Sequence, residues 1–324
     1  MQASCQAGRG GCVKALVTGG AGFIGSNLVR RLLRDGHSVR VADNLLTGRL
    51  ANIQGLLHRI DFRQVDLADP ESALEVADGV ECIFHQAALP SVPRSVEDPL
   101  ATTVNCVMAT VNVLVAARKA GVRRVVYASS SSAYGDAEGM PRVETISPSP
   151  ISPYAAAKLA GEYYCRAFTK VYGLETVALR YFNIFGPRQD PASEYAAVVP
   201  RFIKALLEDG EITIHGDGEQ TRDFTYIDNA LDANVLAASS PFAPGRVVNV
   251  ATGQQYSVNC LLETLERLTG KKARRVTLPS RPGDARHSLA DISLARQILG
   301  YEPSVSFQDG LERTIRWMRD GVEV

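Results

Sequence analysis

The chain is short of the features that mark several large functional classes. Lys and Arg together number 35 and Asp and Glu also 35, so its 324 residues carry no net charge. A sequence-independent grip on nucleic acid or anionic membrane needs a basic excess, and none is present. No apolar run approaches the roughly 18 residues of a membrane helix. The first twelve residues, MQASCQAGRGGC, hold no hydrophobic stretch and read as a short disordered leader rather than a secretory signal. The six cysteines (Cys5, Cys12, Cys82, Cys106, Cys165, Cys260) show no CxxC spacing, and the five histidines are dispersed. That pattern argues against a zinc site or a disulfide frame and for a reducing cytoplasm. Repeats and low-complexity linkers are lacking too. Chemistry here must come from hydroxyls, a lysine or a borrowed cofactor.

What is present is ordinary globular sequence, 45% hydrophobic and 22% charged, with ample apolar content for a core. At about 150 residues per domain, the length fits two domains or one large one. Short apolar runs at 13–18, 38–42, 60–65, 81–85, 124–128 and 176–180 read as buried strands. Helical stretches lie between them, notably from Phe23 to a stop at Gly36, from Leu100 to Ala120 and from Tyr154 to Tyr172. Strands alternating with helices predict an α/β fold of Rossmann type, a doubly wound parallel sheet. The pattern loosens after about Asn183, where helices are expected near 197–208, 257–268 and 308–319. The expected division is a sheet domain over 12–182, rejoined by about 224–250, and a smaller mixed α/β lobe from 183–223 and 251–324.

Between the first strand and first helix lies Thr18-Gly19-Gly20-Ala21-Gly22-Phe23-Ile24-Gly25. Glycines at 19, 22 and 25 permit a tight turn, close approach of backbone N–H groups to a pyrophosphate, and close helix–strand packing. The helix N-terminus then faces the negative charge. Eighteen residues past Gly25, at the end of the second strand, stands Asp43. A carboxylate there accepts hydrogen bonds from an adenosine ribose and repels a 2′-phosphate, which favours NAD over NADP. Asp66, ending the third strand, is placed either to reach the adenine amine or to cap the next helix.

Tyr154 and Lys158 are four apart in SPYAAAKLAGE and so share one face at the start of a helix. A tyrosine titrating near 10 is a poor base at neutral pH; lowering it by about 3 units takes about 4 kcal/mol of preferential phenolate stabilisation. A lysine ammonium one turn away and a positively charged nicotinamide ring can together supply that. Upstream, the fifth strand runs into a serine tract, Ser129 to Ser132, at the sheet edge where doubly wound folds bind ligands.

With TGGAGFIG, Asp43, HQAA at 85–88, the set Ser130, Tyr154 and Lys158, and RYFNIFGPRQ at 180–189, the chain resembles the extended short-chain dehydrogenase/reductase superfamily. Within it, the chain looks like the NAD-dependent UDP-sugar 4-epimerases, from about residue 14 to the C-terminus. The resemblance implies tightly bound NAD, with Phe23, Ile24, Asn44, Gly48, Leu67, Gln86, Ala87, Ala88, Asn105 and Tyr181 joining the glycine loop, Asp43, Asp66, Tyr154 and Lys158 around it. It further implies a homodimer paired through helices near 100–120 and 154–172.

The family's 4,6-dehydratases carry an Asp-Glu pair just after the catalytic serine or threonine, and the decarboxylating members have Glu at the second position. Here those positions are Ser131 and Ser132. Without a carboxylate, acid/base work at C5 lacks an agent, and transient oxidation at C4 remains. The resemblance assigns Tyr154 to take the 4-hydroxyl proton, with Ser130 relaying it. It places Arg222, Arg281 and Asp284 on the diphosphate and uridine ribose, where two arginines suit a diphosphate. Asn183, Val199, Ser131 and Ser132 belong to the same substrate set. Ser288, where hexose-restricted epimerases have a tyrosine, leaves room for a 2-N-acetyl group. Ala197 and Ser91, within SVPRS, also resemble the N-acetylhexosamine-accepting branch, although Pro90 stands where that branch tends to have Gly. The expected substrate pair is UDP-GlcNAc/UDP-GalNAc, with UDP-Glc/UDP-Gal alongside. A UDP-glucuronate 4-epimerase and, more distantly, a non-catalytic dinucleotide sensor are the alternatives.

Overall fold

The computed structural model describes residues 13–191, 197–279 and 286–321. From the N-terminal side run β1 (Lys14–Thr18), α1 (Phe23–Arg34), β2 (Ser38–Asp43), β3 (Asp61–Gln64), α2 (Pro70–Ala77) and β4 (Cys82–His85). Next come α3 (Val92–Glu97), α4 (Pro99–Thr103), a π-helical turn over Val104–Met108, α5 (Ala109–Lys119), β5 (Arg124–Ser130), α6 (Pro153–Tyr172) and β6 (Glu175–Tyr181). The remainder is β7 (Ile184–Phe185), α7 (Val198–Leu207), β8 (Glu211–His215), β9 (Thr221–Arg222), β10 (Thr225–Tyr226), α8 (Ile227–Ser239), β11 (Arg246–Val250), β12 (Tyr256–Ser257), α9 (Val258–Thr269), β13 (Arg274–Leu278), α10 (Ser293–Leu299) and α11 (Phe307–Asp320).

Seven strands form one parallel sheet in the order β11-β6-β5-β4-β1-β2-β3. Helices cover both faces, so the central strands bury nearly every residue, as in β4 (CIFH), and read as continuous apolar runs, whereas the edge strand β3 (DFRQ) buries none. The order reverses between β1 and β4, and ligands of such sheets bind in the crevice outside the strand ends at that switch point. Everything that matters for chemistry lies there. Late in the chain β11 joins the sheet edge by pairing with β6, Val248 opposite Leu179.

Local chemistry explains where the helices start. Ser152 caps α6 by accepting from the Ala155 N–H (3.2 Å), Pro153 occupies the first turn, and Gly173 ends the helix at φ 73°. Ser257 and Ser306 cap α9 and α11 in the same way. By contrast α1 has Gly22 at its N-cap and no side-chain cap, which leaves its first N–H groups for a ligand.

The structure departs from the sequence reading in three respects. β5 runs on to Ser130, because Ser129 and Ser130 stay in register with Arg180 and Tyr181 of β6. The stretch 99–119 contains the π turn. That continuous helix, Pro99–Lys119, is also long and apolar enough to cross a membrane by length and composition, with mean hydropathy 1.7, which corrects the expectation that no run approaches that size. Its small and branched residues suit packing against α2 and α6.

Candidate active site

The loop after β1 is tightly packed. Gly19 sits at φ 65°, and a Cβ there would lie 2.7 Å from the Ala87 backbone nitrogen. A Cβ on Gly25 would collide with the Gly19 carbonyl oxygen. The chain thus passes where only glycine fits, and α1 packs directly onto β1.

Asp43, 7% exposed at the end of β2, accepts from the Ala21 N–H (2.9 Å) and the Leu45 N–H (2.8 Å). Burial pushes its carboxyl pKa up, against the pull of the two N–H groups. Asp43 therefore ties the glycine loop to β2 as well as facing the cavity. Asp66 accepts from the Ala68 N–H (2.9 Å), while the cap of α2 is Asp69, accepting from the Ser72 N–H. The capping alternative for Asp66 is excluded, and its side chain lines the cavity.

A cavity of about 260 Å³ runs from Asp43 and Asp66 past the glycine loop to Tyr154, Lys158 and Tyr181. Gly19, Gly22, Phe23, Ile24, Gly25, Asn44, Gly48, Leu67, Gln86, Ala87, Ala88 and Asn105 line it. Sequence reasoning missed Thr47, Val65, Ala109 and Ser129 on the same wall; Ser129, adjoining Ser130, was within reach had the fifth strand been extended. Pro90 lines this cavity too, so its effect falls here rather than on the second cavity described below. An elongated cleft, a glycine cradle, an uncapped helix N-terminus and a buried carboxylate at the far end together fit a dinucleotide.

Two hydrogen-bonded chains hold the floor. The Thr110 hydroxyl donates to the Cys106 carbonyl (2.6 Å), so its oxygen accepts from His85 Nε2 (3.0 Å). The other ring nitrogen, His85 Nδ1, then accepts from the Thr18 hydroxyl (2.8 Å), whose oxygen accepts the Ala87 N–H (3.2 Å). Burial lowers the His85 pKa to about 3, with the Lys158 charge helping, which keeps the imidazole neutral. The second chain joins the Gln86 amide to the Tyr181 hydroxyl (3.2 Å), which also accepts from Asn234 Nδ2 (2.7 Å).

Tyr154 and Lys158 lie one turn apart on α6, the Lys158 nitrogen 5.9 Å from the Tyr154 ring centroid. Lys158 is 3% exposed and donates to the Ala128 carbonyl at 2.8 Å; burial lowers its pKa. Burial also pushes the Tyr154 phenol well above its usual value, while a hydrogen bond with Ser130 pulls the other way. The chain's own groups therefore do not lower Tyr154, and the expected depression requires the cationic ring of a bound cofactor as well. Ser130 caps the short 3-10 turn Ser131–Tyr134, accepting from the Ser132 N–H (3.2 Å) and hydroxyl (2.9 Å).

A second cavity, about 270 Å³, lies beyond the strand ends. It brings together Asn183, Ala197, Val199 and Arg222 with the unanticipated Arg201, His215, Gln220 and Phe224. Asn183 adopts a left-handed φ of 40°, with its amide on the Asp223 carbonyl (3.3 Å). Ser288 is half-buried and tied by its N–H to the Thr221 carbonyl (3.1 Å), beside Arg222 but outside the cavity wall. Ser91, at φ 138°, caps α3 and likewise lines neither cavity. Arg281 and Asp284 fall outside the described residues.

Against known proteins, residues 15–251 match the NAD dependent epimerase/dehydratase family. A UDP-glucose 4-epimerase of Mycolicibacterium smegmatis is 41% identical over 313 residues, covering 95% of this chain and 99% of that one. Among solved structures, a UDP-N-acetylglucosamine 4-epimerase from Methanobrevibacter ruminantium, in complex with UDP-N-acetylmuramic acid, is 39% identical with TM-score 0.91, covering 96% of this chain and 99% of that one. The UDP-glucuronic acid 4-epimerase of Bacillus cereus, in complex with UDP-glucuronic acid and NAD, is 35% identical with TM-score 0.88, covering 95% and 100%.

Proposed function

The chain belongs to the NAD dependent epimerase/dehydratase family, and on that premise we propose that it inverts C4 of a UDP-linked hexose, with NAD held in the first cavity. One observation carries the choice among the family's chemistries. Tyr154 and Lys158 stand at the cavity's end with Ser130 beside Tyr154, outside the cavity wall, while Ser131 and Ser132 occupy the turn where a C5 acid or base would have to stand.

In this reading NAD, when bound, supplies the hydride acceptor for C4 and the donor for its return. The rest falls to the chain. Tyr154 takes the 4-hydroxyl proton and later gives it back. Its phenolate is favoured by the buried Lys158 ammonium, which the Ala128 carbonyl orients. Ser130, hydrogen-bonded to Tyr154, bridges phenol and sugar oxygen. Asn183, Arg222, Val199 and Ala197 bind the nucleotide half in the second cavity, with Arg281 and Asp284 assigned the same task. Residues 12–182 with 224–250 serve as the NAD domain, and 183–223 with 251–324 as the sugar lobe.

For the sugar, we assign UDP-GlcNAc/UDP-GalNAc, with UDP-Glc/UDP-Gal also turned over, because a serine rather than a ring stands at Ser288 beside Arg222. The enzyme is taken to pair as a homodimer through the helices at 99–119 and 153–172, where Leu100, Val104, Met108, Tyr163 and Val171 are exposed; light scattering tests that pairing.

The decisive experiment is an NMR time course of purified protein, without added NAD, given UDP-GlcNAc, UDP-Glc and UDP-GlcA separately. Conversion of UDP-GlcNAc to UDP-GalNAc supports the reading. Conversion of UDP-GlcA alone transfers the assignment to a hexuronate epimerase, and retained turnover in Tyr154→Phe removes Tyr154 from its role.

A further inference from the structure

One turn beyond Lys158 and two beyond Tyr154, on the same face of α6, stands Glu162. It is 2% exposed, an expensive place for a carboxylate. Arg180 of β6, also 2% exposed, grips it with both arms, Nε to Oε1 at 2.8 Å and Nη2 to Oε2 at 2.7 Å. The Ser129 hydroxyl donates to the same Oε1 at 2.5 Å. The guanidinium rests on the Tyr134 ring, 4.4 Å from its centroid, and the Tyr134 hydroxyl donates to Asn249 (2.8 Å). No step assigned above uses this pair.

From this geometry we propose that Glu162 and Arg180 are positioning residues whose mutual neutralisation reserves the Lys158 charge for Tyr154 and holds the end of β5, Ser129 and Ser130, against the catalytic face of α6. The inference rests on the reading of Tyr154 as the base. Two physical points support it. A lone carboxylate at Glu162 would compete for the Lys158 ammonium one turn away and oppose a phenolate at Tyr154. A lone guanidinium at Arg180, which does not lose its proton in proteins, would favour that phenolate instead. Only the pair leaves the field at Tyr154 to Lys158 and the cofactor. Burial works against the Arg180 charge, yet the hydrogen bonds and charge of Glu162 hold its pKa up.

The groups facing the pair are Tyr127 and Ser129 from β5, Tyr134 from the turn, and Lys158 and Cys165 from α6 itself. Glu144, which accepts the Asn249 N–H (2.8 Å), reaches the Arg180 end, with Asp291 beside it. Around Tyr154 and Lys158 lie Cys106 on the π turn and His85 on β4. Burial keeps Cys165 and Tyr127 protonated and His85 neutral. The charge that changes on mutation is therefore that of the pair.

Glu162 stands eight residues beyond Tyr154, about 12 Å along the helix axis. At an effective dielectric of about 20, one uncompensated charge at that range moves a titration by about one pH unit. The test is the acid limb of kcat/KM with UDP-GlcNAc or UDP-Glc, whichever turns over. In parallel, the ultraviolet titration of the Tyr154 phenolate is read as wild type minus Tyr154→Phe. In Glu162→Gln the leftover cation is expected to move both downward by about one unit. The neutral double variant Glu162→Gln/Arg180→Gln is expected to return them to the wild-type position. Arg180→Lys, which keeps the charge balance but loses the two-armed grip, is expected to leave the limb in place and lower kcat more than it changes KM.

An unmoved titration in Glu162→Gln overturns the proposal. So does a displaced one in the double variant or in Arg180→Lys, and those two carry the test if Glu162→Gln folds poorly. Tyr154→Phe separates the two levels: if it retains turnover, the reading of Tyr154 fails, whereas a dead Tyr154→Phe with a stationary limb in Glu162→Gln removes only the role of the pair.

Discussion

Gly161 sits in the middle of α6, three residues after Lys158, where replacing glycine by alanine in an open helix gains about 1 kcal/mol. Here a Cβ would point into β5. It would fall well inside van der Waals contact distance of the Tyr127 hydroxyl oxygen and its ring carbon Cζ, and 2.8 Å from Cε1. Carbon pairs want about 3.5 Å, so the ring and the helix must separate by about 1 Å. Tyr127 is fully buried, and its hydroxyl donates to the Lys158 carbonyl at 3.4 Å, so it has nowhere to turn. Overpacking of this kind costs about 1–3 kcal/mol. Set against the helical gain, the net destabilisation of Gly161→Ala should be only about 0–2 kcal/mol. Activity should suffer far more. The displacement lifts Lys158 from the Ala128 carbonyl and Tyr154 from Ser130, and a misplacement of about 1 Å can lower turnover about a hundredfold. Denaturant unfolding and the epimerase time course, run on one preparation, measure the two effects. A variant as active as wild type would refute the idea that the Tyr127–Gly161 contact sets the catalytic helix.

Other outcomes follow from the same geometry. His85 titrates near 3 in the fold against 6.5 unperturbed, so its contribution is fully present above pH 6.5 and is lost as pH falls toward 3. Stability should drop by up to about 1.4 kcal/mol per pH unit in that window from this group, and His85→Gln should show a smaller acid slope in unfolding experiments. Asp43→Asn can accept only one of the two N–H bonds now made to Ala21 and Leu45; NAD affinity should fall about tenfold or more and NADP should gain relative to NAD, both measurable by calorimetry. Ser288→Tyr should remove turnover of UDP-GlcNAc while sparing UDP-Glc; equal loss of both would show that Ser288 does not govern the sugar.

The cofactor side was legible because its determinants are local. Four glycines in seven residues, a following helix and an acid at the next strand's end all lie between Thr18 and Asp43, and the parallel sheet turns that run into a cradle with little help from the rest. The tyrosine and lysine were legible for the same reason, since one helical turn guarantees their common face. The serines were less so. Ending the fifth strand at Ala128 hid that Ser129 and Ser130 remain in register with Arg180 and Tyr181, and with it the hydrogen bond from Ser129 to Glu162.

The second cavity, proposed above to hold the nucleotide half of the substrate, resisted reading because nothing local encodes it. It is assembled from residues near 183, 197–202, 213–215, 220–224 and 258, on short strands such as β7, β9 and β12 that are only two residues long. Two-residue strands carry no periodicity, and His215 ends β8 while Gln220 lies just before β9, so their common wall forms only once the chain has folded. Glu162 and Arg180 show the same limit within the legible half. They lie 18 residues apart on different elements, and a glutamate on a helix reads as a solvated face until the strand behind it is known to deliver an arginine. What sequence spacing cannot encode is which charges cancel, and that cancellation decides whether Lys158 acts on Tyr154 alone.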